Sequence, residues 1–294
     1  MHVATIPLIH NPAARSQKSA RLGRLLAQLE PAPRILVTDG QGSARRLAAE
    51  CARRGEQTIV AAGGDGTLNE VVAGLLDAAA DGHAMPRFGV MPLGTMNVFA
   101  LELGLPVRNV RQCWETIVGG KIREVDVWIA NGGPMIQLGG VGLDATVVAE
   151  TTWDMKRRMG AFSYVVNAAR VLARPAPKLT ITVDDTTIEG AMVLFGNGQR
   201  YGGPLKIFAE AKPDDGLLDV LVLRQQSAGD VLGFLAALAT GTLDRFAGVW
   251  FGRGKRITVT SARPVAIELD GEAAGSTPLE ISVSPTRLRV HVPG

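Results

Sequence analysis

Three glycines, an aspartate and a threonine stand together at Gly63-Gly64-Asp65-Gly66-Thr67. They follow the apolar run Thr58–Ala62 and precede Leu68-Asn69-Glu70-Val71-Val72. Glycine has no Cβ, so three of them let the main chain approach a bulky anion closely. A helix opening at Thr67 would turn its free N–H groups and positive dipole end toward that anion. The chemistry implied is phosphate binding. A carboxylate in such a loop repels phosphates unless a cation intervenes, so Asp65 is expected to hold Mg²⁺, directly or through water, or to handle a proton.

Further candidates lie at comparable places. Met91-Pro92-Leu93-Gly94-Thr95-Met96-Asn97 follows another strand-like run and opens another helix. There Thr95 and Asn97 can hydrogen-bond phosphate or ribose. Asn11-Pro12 ends the first strand pattern, and Thr38 follows the second. Other nucleotide signatures are missing. The chain has no GxxxxGK[ST], no GxGxxG after its first strand, and neither His-Arg-Asp nor Asp-Phe-Gly, which sets aside P-loop enzymes, standard dinucleotide folds and protein kinases.

The elements that must position these loops alternate in type. Val3–Ile9, Arg34–Val37, Thr58–Ala62 and Phe88–Met91 read as strands. Gln17–Leu29, Ser43–Arg54, Leu68–Ala80, Asn97–Leu103 and Val107–Gly119 read as helices. This pattern predicts an α/β, Rossmann-like domain over residues 1–126 with a parallel sheet, whose ligands sit at the carboxyl ends of the strands. Residues 127–294 change character. Val125–Ala130, Met135–Leu138, Leu179–Val183, Thr187–Phe195, Leu217–Leu223, Arg256–Thr260, Pro264–Leu269, Leu279–Val283 and Leu288–Val292 read as strands between Gly, Pro, Asp and Ser turns. Helices are expected only near Met159–Ala173 and Ala228–Ala239. The second domain is therefore expected to be an antiparallel, sandwich-like β domain. Phe234, Trp250 and Phe251 read as core.

Composition narrows the classes further. The 294 residues carry a net charge of +3 and 5% aromatics, which allows phosphate ligands but gives no basic, aromatic-interleaved stripe for nucleic acid. Cys51 and Cys113 are too few for a disulfide scaffold, and His2, His10, His83 and His291 have no metal-ligand spacing. No basic n-region precedes the first strand, so a signal peptide is not expected. The apolar stretch near Val231–Ala239 is shorter than the roughly 20 residues a bilayer crossing needs. The expectation is a cytoplasmic protein whose membrane contact is peripheral, at the inner face.

Together these motifs resemble the diacylglycerol kinase catalytic family, which includes bacterial lipid kinases and the sphingosine and ceramide kinases. Gly139-Gly140-Val141-Gly142-Leu143-Asp144-Ala145 is similar to a further family segment. So are Gly202–Ile207, Asp214-Asp215-Gly216-Leu217-Leu218-Asp219 and Asp270-Gly271-Glu272. The resemblance implies an ATP- and Mg²⁺-dependent lipid kinase of phospholipid biosynthesis, with a diacylglycerol-like acceptor. Phosphatidylglycerol and sphingoid lipids stay open as acceptors, and so does a homodimer. It implies ATP contacts from Asn11, Pro12, Thr38, Gly63, Gly64, Asp65, Gly66, Thr67, Leu68, Asn69, Thr95 and Asn97. It implies a Mg²⁺ held by Asp215 with the main-chain carbonyls of Lys212 and Leu217. It implies Glu272 as the proton acceptor, a role that some family members assign to the aspartate matching Asp65 instead. By residue chemistry alone, Asp270-Gly271 and Asp214-Asp215-Gly216 are ordinary turns. Met96 and Val98 stand where the family often has Gly and Asp, and Ala209 where it often has Pro.

Trp153-Asp154-Met155-Lys156-Arg157-Arg158-Met159 mixes aromatic, apolar and basic side chains, which suits an anionic lipid interface as well as a solvated helix start. Two rival readings share the glycine loop: a kinase of a soluble acceptor such as NAD, and a nucleotide-binding regulator without turnover.

Overall fold

The structure is a computed structural model that describes residues 5–12, 25, 26, 28–107, 109–142, 145, 176–201 and 205–294. The chain divides into two units. One runs to Val127 and takes in Ser284–Gly294, and the other comprises Trp128–Tyr201 and Leu205–Val283.

In the first unit, short apolar runs form β1 (Pro7–His10), β2 (Arg34–Val37), β3 (Thr58–Gly63) and β4 (Arg87–Pro92). They lie in the order β2-β1-β3-β4 and are all parallel. Near-continuous burial of β1, β3 and β4 fits a sheet covered on both faces. The helices between them are α1 (Ser43–Arg53), α2 (Asp65–Ala80), α3 (Val98–Glu102) and α4 (Val110–Gly119). Leu8, Val60 and Met91 share a core cluster with Trp114 and Ile117 of α4. A Cβ on Gly74 of α2 would lie 2.1 Å from the Arg45 carbonyl oxygen of α1, so α1 and α2 are in near-backbone contact. Arg45 and Asp77 form a two-pronged pair across them at 2.7 and 2.8 Å. That pair is half-exposed and contributes at most about 1 kcal/mol, so the close approach at Gly74 governs the packing. The predicted helix Gln17–Leu29 lies almost wholly outside the described residues.

The sheet continues past β4 in a way the sequence did not indicate. Next to β4 comes the C-terminal strand, Leu288–Val292, parallel to β4, and β5 (Lys121–Val125) closes the edge antiparallel to it. The sheet is therefore mixed, and the end of the chain belongs to the first unit. This corrects the expected 127–294 domain. The apolar residues Leu288, Val290 and Val292 at every second position fit either sheet system, and only the fold decides where the strand pairs. Arg287 secures the return with an ion pair of 2.8 Å to the buried Asp126.

The second unit is a sandwich of two antiparallel sheets. One holds β6 (Trp128–Ala130), β7 (Gly133–Met135), β9 (Leu179–Val183), β10 (Thr186–Gly190), β16 (Arg256–Ser261) and β19 (Leu279–Val283). The other holds β8 (Leu138–Val141), β11 (Met192–Gly196), β14 (Leu218–Leu223), β15 (Val249–Gly254), β17 (Ala266–Leu269) and β18 (Glu272–Ser276). One apolar cluster spans both, from Trp128, Ile181, Ile257 and Ile281 to Phe195, Val220 and Ile267. A two-stranded ribbon joins β12 (Arg200–Tyr201) to β13 (Leu205–Lys206), and β20 is the C-terminal strand described above.

Several expected strands divide in two. Val125–Ala130 is cut between the two units, and Thr187–Phe195 is cut at Ala191, where the chain passes from one sheet to the other. Met135–Leu138 straddles β7 and β8. Its Ile136 and Gln137 N–H groups donate to the Asp270 carboxylate instead of a ladder. One helix of this unit is described, α5 (Ala228–Thr240), opened by a Ser227/Asp230 capping box and closed by Gly241 at φ 68°. The expected helix Met159–Ala173 lies outside the described residues. Phe234 is buried as expected, whereas Phe251 is 38% exposed.

Candidate functional site

The carboxyl ends of β2, β1, β3 and β4 form a row, and main-chain hydrogen bonds tie each end to the next. Thr38 N–H donates to His10 (2.9 Å), Asn11 N–H to Ala62 (3.1 Å) and Leu93 N–H to Gly63 (2.8 Å). Thr38, Asn11, Gly63–Asn69 and Pro92–Asn97 thus come together along one crest, where parallel sheets bind ligands.

Helix α2 begins at Asp65, two residues before the predicted start. Gly64 is its extended N-cap residue and provides no side chain to cap the first turn. Counting apolar residues finds the first inward-facing position, Leu68, but not the acidic first turn that the helix dipole favours. Thr67 is buried, and its hydroxyl accepts a 3.0 Å hydrogen bond from the Asn11 amide. That contact links the β1 and β3 loops. The β3 and β4 loops meet at their glycines: a Cβ on Gly94 would fall 2.5 Å from the Gly64 Cα. A side chain at Gly94 would therefore have to move main chain, whereas a Cβ on Gly64 would meet the Gly94 Cα more loosely, at 3.3 Å.

Asn97 and Asp65 have duties inside the crest. Asn97 is buried at φ 48°, in the left-handed region. Its amide clasps both main-chain groups of Gly94, accepting from N–H at 2.9 Å and donating to the carbonyl at 3.0 Å. Asp65 reaches the start of α3, accepting from Val98 N–H at 3.3 Å and Phe99 N–H at 3.4 Å. Burial pushes the Asp65 carboxyl above the usual carboxylate range, and the N–H groups of Val98, Phe99 and Asn97 pull partly the other way. Glu70 is a positioning residue that sequence reasoning missed. From α2 it accepts the N–H groups of Gly42 (2.9 Å) and Ala44 (3.1 Å) at the start of α1. Thr95 is exposed, and Asn69 and Pro12 are half-buried. For a cation accompanying a nucleotide, the crest offers hard oxygen donors in Asp65, Thr67 and Thr95, the kind Mg²⁺ takes.

The other two groups of predicted site residues lie in the second unit. Glu272 opens β18, directly after the Asp270-Gly271 turn, and is exposed. Both turn residues have positive φ, 49° and 88°, the geometry of a tight hairpin. Asp270 is only 6% exposed and accepts three main-chain N–H groups, from Ile136, Gln137 and Leu138, at 2.9–3.0 Å. The buried Glu268 adds bonds to Gly271 N–H and to the Tyr201 hydroxyl. The hairpin that presents Glu272 is thus held by two buried carboxylates. Asp-Gly signalled the turn, but nothing local signalled their partners.

Around Asp215 the arrangement is closed by an arginine. Asp215 accepts Leu217 N–H on one oxygen (3.0 Å) and Arg253 Nη2 on the other (3.2 Å). Arg253 also grips Asp219 at 3.0 and 3.1 Å and donates to the Glu210 carbonyl at 2.9 Å. Burial raises the Asp219 carboxyl, against the pull of Arg253. The expected Mg²⁺ ligands here amount to one carboxylate and the Lys212 and Leu217 carbonyls, and a metal would compete with Arg253 for Asp215. Among the described residues no cluster of three or more acidic, His or Cys groups is set to hold a metal. Leu143, Asp144, Gly202, Gly203, Pro204 and the Trp153–Met159 segment lie outside the described residues.

Residues 5–130 match the family described as the diacylglycerol kinase catalytic domain, and residues 139–292 match the YegS C-terminal NAD kinase beta sandwich-like domain. The chain is 34% identical to a "Probable lipid kinase YegS-like" protein of Xanthomonas axonopodis pv. citri (strain 306), over 88% of this chain and 86% of the relative. A protein of the same name from Pseudomonas aeruginosa (strain UCBPP-PA14) is 32% identical over 88% and 84%. In fold, the chain is similar to a crystal structure of a diacylglycerol kinase from Bacillus anthracis str. Sterne. That structure aligns over 99% of this chain and 98% of its own, with TM-score 0.72 at 23% identity.

Proposed function

The chain belongs to the diacylglycerol kinase catalytic-domain family and is a lipid kinase, and from that premise we propose that it transfers the γ-phosphoryl group of ATP to the free hydroxyl of diacylglycerol. The observation that carries the donor half is the crest at β2-β1-β3-β4, where two glycine loops touch backbone to backbone above an uncapped helix N-terminus. Such a surface offers N–H groups to phosphate oxygens at close range. The acceptor half rests on the family description and on the relatives' names.

In this reading the main chain of Gly63–Thr67 and the side chains of Asn11, Thr67 and Thr95 hold the triphosphate. Asn97 and Asp65 fix the two loops that do so. Mg²⁺ bound with the triphosphate supplies neutralisation of its charge. The bond between the γ-phosphorus and the β,γ-bridging oxygen breaks, ADP leaves, and the lipid oxygen takes the phosphoryl group. Glu272 takes the hydroxyl proton. Its carboxylate is exposed and makes no hydrogen bond or ion pair to another described residue, whereas Asp65 is tied to the start of α3 through the N–H groups of Val98 and Phe99. A base must be able to reach the hydroxyl whose proton it takes.

The test is transfer of label from γ-labelled ATP to a panel of diacylglycerol, phosphatidylglycerol, sphingosine, ceramide and NAD. Labelled phosphatidic acid is expected. Label in another product moves the acceptor, and no labelled lipid overturns the reading. Glu272→Gln should lower kcat by about a hundredfold to ten-thousandfold with KM for ATP unchanged. Asp65→Asn should act mainly on KM for ATP. A Glu272→Gln protein with normal kcat removes Glu272 as the base.

A further inference from the structure

Helix α5 is apolar on both sides. Val231, Phe234 and Ala237 are buried, while Leu232 is 67% and Leu235 51% exposed. Ala236 and Ala239 are exposed as well. The spacing 232, 235, 236, 239 puts these four side chains in one outward stripe. An ordinary surface helix turns charged residues outward, yet no charged residue occurs between Asp230 and Asp244. A shallow cavity of about 270 Å³ adjoins the helix, lined by Ala236, Ala237, Thr240, Thr242, Arg245 and Phe246. Arg245 is 83% exposed and stands 3.9 Å from the Asp244 carboxylate.

We propose that the outward stripe of α5 is a bilayer-docking surface, which lies in the interface between lipid headgroups and acyl chains. The inference rests on the lipid-kinase reading, because an acceptor dissolved in a bilayer must be met at its surface. Area argues against a second copy as occupant. A helix of 13 residues is about 20 Å long. A stripe about 10 Å wide on it offers roughly 200 Å², against about 800 Å² per partner in a stable protein interface. A lipid surface needs no such complementary area, and small apolar faces partition into it. The contact is apolar rather than electrostatic, because the charges of Arg245 and Asp244 offset each other. Among the described residues no helix is long and apolar enough to cross a membrane, so α5 lies on the surface.

The full-length chain is tested by co-sedimentation with vesicles of phosphatidylcholine carrying a minor fraction of diacylglycerol. The Leu232→Ser/Leu235→Ser variant should bind at least about tenfold more weakly, and raising the salt should change wild-type binding little. Both proteins should phosphorylate a water-soluble short-chain diacylglycerol equally. In a separate Leu235→Trp variant, indole emission should shift to the blue when vesicles are added. Equal vesicle binding by wild type and double variant overturns the proposal, as does loss of wild-type binding in high salt. An emission spectrum of the Leu235→Trp variant that vesicles leave unchanged overturns it too, and so does a double variant that only changes from dimer to monomer. If neither protein phosphorylates the short-chain lipid, the acceptor reading fails, and vesicle binding still decides the role of α5.

Discussion

His291 shows how a residue's neighbours, rather than its type, set its behaviour. It sits in the C-terminal strand, 5% exposed, and neither ring nitrogen finds a partner among the described residues. Burial lowers its pKa to about 4, and nearby Arg87 adds to the effect. In the unfolded chain the imidazole titrates near the ordinary 6.5, so between these values the unfolded state binds the proton and the folded state does not. Stability is therefore lost as pH falls from about 6.5 toward 4 and levels off below that. Replacing the ring by an aliphatic side chain, His291→Leu, should flatten the fall in Tm across that window, as read by calorimetry at a series of pH values. A variant with the wild-type slope would show that other groups set it. Asp65 and Asn97 carry the same lesson into the crest. The sequence marked both as ligand-facing, and the structure finds Asn97 bonded to the main chain of its own loop at Gly94 and Asp65 to the main chain that follows the neighbouring loop.

Loops act here as paired elements. Gly63–Thr67 and Pro92–Asn97 were legible as strand-to-helix turns because Gly, Thr and Asn cluster between apolar runs. Their mutual contact was not legible, since nothing in either segment says how far apart β3 and β4 hold them. Gly94→Ala tests the contact: its methyl would meet the Gly64 backbone at 2.5 Å, and a displacement near 1 Å at a binding loop can cost about a hundredfold in turnover. The expected outcome is a kcat/KM for ATP lower by tenfold or more with little change in Tm. Gly119→Ala, where the added methyl meets nothing within 4 Å, should leave both unchanged. Equal behaviour of the two variants would mean that the loop contact carries no function. Sheet edges misled the reading for a related reason. β18 is exposed along its whole length and built from Glu, Ala, Gly and Ser, so it has no apolar alternation to detect.

The last strand ties the first unit shut. β20 stands between β4 and β5 and, among the described residues, is the one strand partner of β5 within that sheet. Ending the chain at Val283 would expose both neighbouring edges. It would also leave Asp126, 1% exposed, without Arg287, and a buried carboxylate stripped of its cation is strongly destabilising. The truncated protein should lose the cooperative unfolding of the first unit or accumulate as aggregate. A soluble truncated chain with the wild-type Tm would show that the strand is dispensable.

From the sequence alone came the glycine loops, the alternation of strands and helices before residue 126, the sandwich-like half and the lipid-kinase family. Each is written in local residue order, where helix and strand periods and turn chemistry act over a few positions. Only the tertiary structure decided that the C-terminal strand joins the first sheet, and that Asp270 and Glu268 hold the Glu272 hairpin. It alone paired Arg253 with Asp215 and Asp219, and turned one apolar face of α5 outward. These depend on contacts between residues tens to hundreds of positions apart, whose partners are selected by packing and by the need to satisfy buried polar groups.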